Sequence, residues 1–266
     1  MSSRLPTLYI PHGGGPCFFM DMPPNSWQSM GDYLRATAAD VGEKPRALLI
    51  ISAHWEGERA LVTTAEQPGL LFDYYGFPEH TYQLTYAAPG SPRLAQRVTQ
   101  LLDEAGIQSA VDPQRDLDHG VFVPFKLIYP EADIPIVQLS LVAGLDPAQH
   151  LRIGRAIASL RDEGVLIVGS GMSYHNLREF MRPSAASTDA SSRFDEWLTA
   201  NVVGDAKQRD EALATWKSAP DALACHPRAE HLLPLMVVAG AALEDRGRLA
   251  FNDRVFGKSV SGYRFG

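Results

Sequence analysis

The chain has 266 residues, 45% of them hydrophobic and 21% charged, with a formal net charge of -7. These values exclude collagen-like, coiled-coil and disordered chains, and the length suits one large α/β domain spanning residues 1–266. The acidic balance, with scattered lysines and arginines, argues against a nucleic-acid partner and for a small-molecule substrate.

No stretch is long and apolar enough to span a bilayer, and the first residues show no secretory pattern, so the expected location is the cytoplasm, with no membrane partner. The two cysteines, Cys17 and Cys225, are too few for a disulfide framework, and they read as small buried hydrophobes.

In chain order, Thr7 to Ile10 is a short apolar strand ended by Pro11, with His12 and the glycines Gly13, Gly14 and Gly15 behind it. Apolar steps of three and four from Ser26 to Val41 describe a helix. Ala47 to Ile51 is a buried parallel strand that stops before Ser52 and Ala53 and so leaves His54 at its carboxyl end. Ala60 to Thr64 is a further strand. An aromatic loop follows with Phe72, Tyr74, Tyr75, Phe77, Tyr82 and Tyr86, suited to a pocket wall or a subunit interface; His80 sits in it as a surface or rim residue.

Ser91 and Pro92 start a helix that stops at Gly106, and a strand runs from Ile107 to Val111. Asp116 to Gly120 form a polar turn. Within it, Asp118 either holds His119 in one tautomer or caps the next helix. Ile134 to Leu141 is a strand and Asp146 to Gly164 a helix with His150 on its solvated side. Val165 to Val168 is another apolar strand, followed by Gly169, Ser170 and Gly171 and, within seven residues, by His175. Residues 183–192 read as a surface loop, and Arg193 to Val203 and Asp210 to Trp216 as helices. Leu235 to Leu243 is a helix with His231 about one turn inside its amino end, and Asn252 to Gly266 an edge strand or hairpin. This alternation predicts a three-layer α/β/α domain with a mostly parallel or mixed sheet.

Five histidines, His12, His54, His119, His175 and His231, stand at turns or element ends. Imidazoles at such ends suit zinc, iron, copper or nickel, and a site with three protein ligands and an open position is the chemistry they favour. No HExxH, CxxC or GxSxG pattern is present.

Five segments carry a resemblance: Pro-His-Gly-Gly-Gly-Pro at 11–16, Ser-Ala-His-Trp at 52–55, Asp-His-Gly-Val-Phe-Val-Pro at 118–124, Gly-Ser-Gly-Met-Ser-Tyr-His-Asn-Leu at 169–177 and His-Pro-Arg-Ala-Glu-His-Leu-Leu-Pro-Leu at 226–235. They resemble the signatures of DOPA-dioxygenase-type extradiol dioxygenases of the class III superfamily, related to the catalytic subunit of protocatechuate 4,5-dioxygenase. The resemblance implies His12, His54 and His231 as metal ligands, His175 as acid/base and His119 as a second pocket histidine. His231 stands where the protocatechuate enzymes have a glutamate. Glu230 is set aside because on a helix it would point about 100° away, and His226 is expected to support the site from behind.

The same resemblance implies Fe(II), a catechol-type substrate such as DOPA, dioxygen as co-substrate, and a muconic semialdehyde product. Three neutral ligands would leave the catecholate to offset the metal's charge, which links substrate binding to pH. Arg178 and Arg228 are the candidates for holding a substrate carboxylate. The alternatives on the same fold are a zinc-bound hydrolase and a non-catalytic binding protein, and a monomer or small homo-oligomer is expected.

Overall fold

The computed structural model describes residues 4–21, 26–182 and 184–266. Its strands are β1 (Thr7–Pro11), β2 (Ala47–Gly57), β3 (Ala60–Thr63), β4 (Ser109–Asp112), β5 (Ile136–Val142), β6 (Val165–Gly171), β7 (Gly247–Val255) and β8 (Lys258–Phe265). Among the described residues these form one sheet in the order β4-β3-β5-β2-β6-β1-β8-β7. The central strands β5, β2, β6 and β1 are parallel to their neighbours in that set, whereas β3 meets β5, and β8 meets β1, antiparallel. The sheet is therefore mixed, with four parallel strands in the middle and a further parallel pair, β3 and β4, at one edge. Parallel strands covered on both faces need continuous apolar runs, and β5 and β6 are buried at every residue.

The helices are α1 (Gln28–Val41), α2 (Pro92–Glu104), α3 (His119–Ile128), α4 (Pro147–Ile157), α5 (Leu177–Met181), α6 (Ala185–Val202), α7 (Ala206–Ala214), α8 (Ala222–Cys225) and α9 (Leu233–Ala242). The α9 helix is buried at every position, so it needs no polar face, and it lies on β6, β1 and β2 with α4 and α7 outside it. On the opposite face α3 packs on β2 and against α1. Helices thus cover both faces, as the alternating pattern predicts. No helix among the described residues is long and apolar enough to cross a membrane.

Three local readings are corrected. The strand at Ala47 does not stop at Ile51: it continues to Gly57, with an irregularity that sets Ile51 opposite Leu139 and Glu56 opposite Leu141. The predicted loop at 183–192 is mostly the first half of α6, because Ser184 caps it in a reciprocal bond pair with Ser187; residue 183 lies outside the described residues. His150 is not solvated. It is fully buried, its Nδ1 bonds the Asp146 carbonyl at 2.7 Å, and its Nε2 accepts from Val142 N–H at 3.1 Å.

The α4–α9 contact is backbone on backbone, since a Cβ added at Gly154 would sit 2.0 Å from the Val237 carbonyl oxygen. Gly154→Ala must push the two helices apart. Overpacking of this kind costs about 1–3 kcal/mol, so a lowered denaturation midpoint without change in the far-ultraviolet spectrum is expected.

Candidate metal centre

The carboxyl ends of β1 and β6 lie beside the irregular part of β2, with Ile10 and Ser52 in register on either side of Ser170. Ligands bind outside the carboxyl ends of such strands. His12 follows β1 directly and is 1% exposed, and His54 sits inside the irregular part of β2. A bulge frees backbone groups that must find partners. Here Ser52 Oγ accepts the His54 N–H at 3.2 Å, and Arg115 Nη2 donates to the His54 carbonyl at 3.1 Å. The irregularity re-aims His54 while the strand goes on, which is why a strand-end reading located the residue and misjudged the strand.

His231 lies two residues ahead of α9, in the turn 230–232, not one turn inside a helix. Pro234 fits the first helical turn and so fixes the start of α9 at Leu233. The His231 carbonyl accepts from Tyr9 Oη–H at 2.7 Å and from Met172 N–H at 3.1 Å. A Cβ at Gly171 would lie 2.1 Å from that oxygen, so only glycine lets the turn rest on the end of β6.

The ligand atoms of His12, His54 and His231 lie within 4.8 Å of one another, and the Nε2 atoms of His12 and His54 are 3.2 Å apart. The tautomers follow from the partners of the other ring nitrogens. Ser170 Oγ–H donates to the Gly120 carbonyl, so its oxygen accepts from His12 Nδ1–H at 3.1 Å. His231 Nδ1–H donates to Glu230 Oε1 at 2.9 Å. His54 Nδ1 faces Asp73 Oδ2 at 3.6 Å. His12 and His231 are thus fixed with Nδ1 protonated and Nε2 free, and the Nε2 of His54 lies beside that of His12.

Burial lowers the pKa of His12 and His54 well below the usual imidazole value, and neighbouring imidazoles lower them further. Burial takes His231 down to about 3, against the opposing pull of Glu230. Neutral, converging imidazoles are the donor set that a divalent transition metal requires, so the residues fit such an ion.

The other two predicted histidines flank this triad. His119 is the first residue of α3, 4.0 Å from His54 between ring centroids. Its carboxylate partner is not Asp118, which has turned away to accept from Ser52 Oγ at 2.6 Å and Arg115 at 3.0 Å. Burial raises the Asp118 carboxyl, opposed by the Ser52 bond. Asp73, from the aromatic loop, takes its place: Oδ1 accepts from His119 Nδ1 at 2.7 Å and from His119 N–H at 3.1 Å. Burial would raise the Asp73 carboxyl, yet these bonds hold it below its usual range.

His175 stacks on His231 at 3.3 Å between centroids, with its Nδ1 3.3 Å from Glu230 Oε1. Glu230 therefore lies in the site. Burial opposes its ionisation, but the bonds from His175 and His231 hold it far below its usual range. The separation expected of a helix does not apply, since residue 230 is in a turn. Arg228, a clamp candidate, is already engaged, bidentate on Glu56 at 2.5 and 2.6 Å and 3.4 Å from Glu230 Oε2. Arg178 is exposed.

His226 is buried between Phe194 and Trp216, and its Nε2–H donates to the Ser173 carbonyl at 2.9 Å. It supports the segment leading to His175. The exposed His80 bonds the Phe19 carbonyl at 3.0 Å. Both cysteines are buried, with thiols pushed up to about 12 by burial, which suits their reading as inert hydrophobes. In the aromatic loop, Phe72 and Tyr74 pack on Phe122 of α3, and the Tyr74 ring lies 5.8 Å from that of His119. The loop thus walls the site. Asp73 and Glu230 are the residues that sequence reasoning missed or set aside. The one available signal was their adjacency to the aromatic run and to His231.

A family model described as the catalytic LigB subunit of aromatic ring-opening dioxygenase matches residues 6–262, and the chain belongs to that family. It is 39% identical to dioxygenase tasH of Hapsidospora irregularis, over 98% of this chain and 85% of the relative. It is 38% identical to 4,5-DOPA dioxygenase extradiol of Beta vulgaris, over 90% and 87% respectively. The crystal structure of an uncharacterized protein from Escherichia coli K12 is similar with a TM-score of 0.79 at 29% identity, covering 99% of this chain and 100% of that one.

Burial depresses the His226 pKa to about 4. The unfolded chain then binds the extra proton between about pH 6.5 and pH 4, so stability falls as pH falls through that window. The share of the decline due to this group is roughly 3 kcal/mol. Chemical denaturation of metal-free protein at a series of pH values should show it, and His226→Phe should have a flatter profile by that amount.

Proposed function

We propose that the protein is an extradiol ring-opening dioxygenase of one catalytic domain that cleaves a DOPA-like catechol with dioxygen to a muconic semialdehyde, using Fe(II). The observation that carries this is the convergence of three neutral Nε2 donors, His12, His54 and His231, between two carboxylate-backed histidines. Membership of the ring-opening family and the aromatic wall from Phe72 and Tyr74 support a catechol ring as the occupant. Relatives named 4,5-DOPA dioxygenase extradiol support a DOPA-like substituent.

In this reading His12, His54 and His231 hold the metal through Nε2. Bound Fe(II) supplies the electronic link between the electron-rich ring and dioxygen that no side chain offers. His175, with Glu230 on its Nδ1 side, takes a proton from a catechol hydroxyl, so the substrate binds as an anion. His119, its Nδ1–H fixed on Asp73, presents Nε2 toward substrate or dioxygen. The aromatic loop and α3 keep bulk water from that side of the pocket.

The test is oxygen uptake after anaerobic loading with Fe(II), with DOPA, unsubstituted catechol and a gallate-like acid as substrates. Uptake should accompany visible absorbance of the ring-opened product, and loading with Zn(II) should give none. Absence of uptake with every catechol would sink the dioxygenase reading.

Two variants separate the roles. His54→Ala should lose metal and activity together while circular dichroism shows the fold retained. His175→Ala should keep its metal and lose turnover by roughly 10²–10⁴-fold, the usual range for a general acid/base. Wild-type turnover in His175→Ala would overturn the base assignment.

A further inference from the structure

One carboxylate in the aromatic loop touches both halves of the site. Asp73 is 19 residues from His54 and 46 from His119 in sequence, yet Oδ2 lies 3.6 Å from His54 Nδ1, an electrostatic contact longer than a hydrogen bond, and Oδ1 receives both the side-chain and backbone N–H of His119. Its side chain is 19% exposed. The loop is docked where this becomes possible: Leu71 N–H donates to the Leu117 carbonyl at 2.8 Å, and Gly69 N–H to Asp116 Oδ1 at 2.7 Å. Asp118, in the N-cap position of α3, makes no capping bond with its side chain. Asp73 therefore does from a distant loop what the local residue does not.

The geometry points to Asp73 as a positioning residue that fixes a metal-ligand imidazole and a pocket imidazole through one carboxylate, so that metal affinity and the placement of His119 depend on the seating of the aromatic loop. Oxygen partners of ligand Nδ1–H groups orient the ring and raise its basicity, and their loss typically costs 10–100-fold in metal affinity. The substitution Asp73→Asn is informative because the amide oxygen can still cap His119 N–H. Its amide nitrogen, a donor, would then face the Nδ1–H of His54, also a donor.

The inference rests on His54 as a metal ligand, and it is tested on binding rather than turnover, so it stands or falls separately from the dioxygenase reading. Zn(II) is titrated into metal-free protein in competition with a chromophoric chelator. Asp73→Asn should weaken Zn(II) by about 10–100-fold, whereas Glu79→Gln, which removes an exposed charge of the same loop outside this contact, should bind as wild type. Equal affinity for Asp73→Asn and wild type would overturn the proposal. So would equal weakening by Glu79→Gln, which would make the effect one of net charge. If Asp73→Asn does not fold, the wild-type protein decides: nitrogen-15 spectra of its labelled histidines with Zn(II) should show His54 bound through Nε2 with a proton on Nδ1. A metal on Nδ1 of His54 would overturn it.

Discussion

An imidazole offers a metal its Nε2 lone pair only if the ring proton sits on Nδ1, and a buried Nδ1–H is costly without an acceptor. Three histidines from distant parts of the chain must meet that condition at one point. The fold meets it with a hydrogen-bonding oxygen for two of them, a serine hydroxyl on β6 for His12 and the adjacent glutamate for His231, and sets a loop carboxylate 3.6 Å from the Nδ1 of His54. The Ser170 hydroxyl can accept from His12 only because Gly120 at the start of α3 takes its proton. The amino end of α3 is thus part of the metal centre without supplying a ligand to it.

The same acceptors change the charge balance expected of an all-histidine site. Three neutral ligands would leave a divalent ion to be offset by the substrate alone. Asp73 and Glu230 lie one imidazole away, both held ionised by the histidines they bond. Two carboxylates at that distance would offset much of a bound divalent ion's charge before any substrate entered. For a catechol, as proposed, the link between binding and pH would then be carried less by the charge of the metal and more by where His175 and His119 place the substrate's protons. Glu230 contacts both His231 and His175, and Asp73 lies against His54 and His119 on the other side.

The parallel core was legible because strands buried on both faces must be continuously apolar, and His12 and His175 could be read as histidines following such strands. His54 was found by the same signal, although β2 runs past it, since a bulge in mid-strand and the end of a strand both appear as small residues after an apolar run. What could not be read was pairing across distance. The choice of Asp73 over Asp118 as partner of His119 depends on Ser52 and Arg115 having already taken Asp118. His150 was misread for a related reason: its position among polar residues suggested solvent, whereas tertiary packing buried it and gave both ring nitrogens backbone partners. Glu230 was set aside on a helical angle that a turn does not impose.

The long connection between β3 and α2 shows what such pairing means for the pocket. A segment of that length ordered without strands of its own loses much conformational entropy, so its anchors must be strong. Several of them land on one short stretch of chain: Leu71 on Leu117, Gly69 on Asp116, Asp73 on His119, and the rings of Phe72 and Tyr74 on Phe122. The wall that would select an aromatic substrate and the histidine that would touch it are therefore one packed unit. A substitution that reshapes the wall near Tyr74 also shifts His119, and through Asp73 it reaches His54. In this architecture a change in the wall would also reach the candidate metal ligands, and tolerated changes in the loop should fall on exposed residues such as Tyr75, which is 91% exposed.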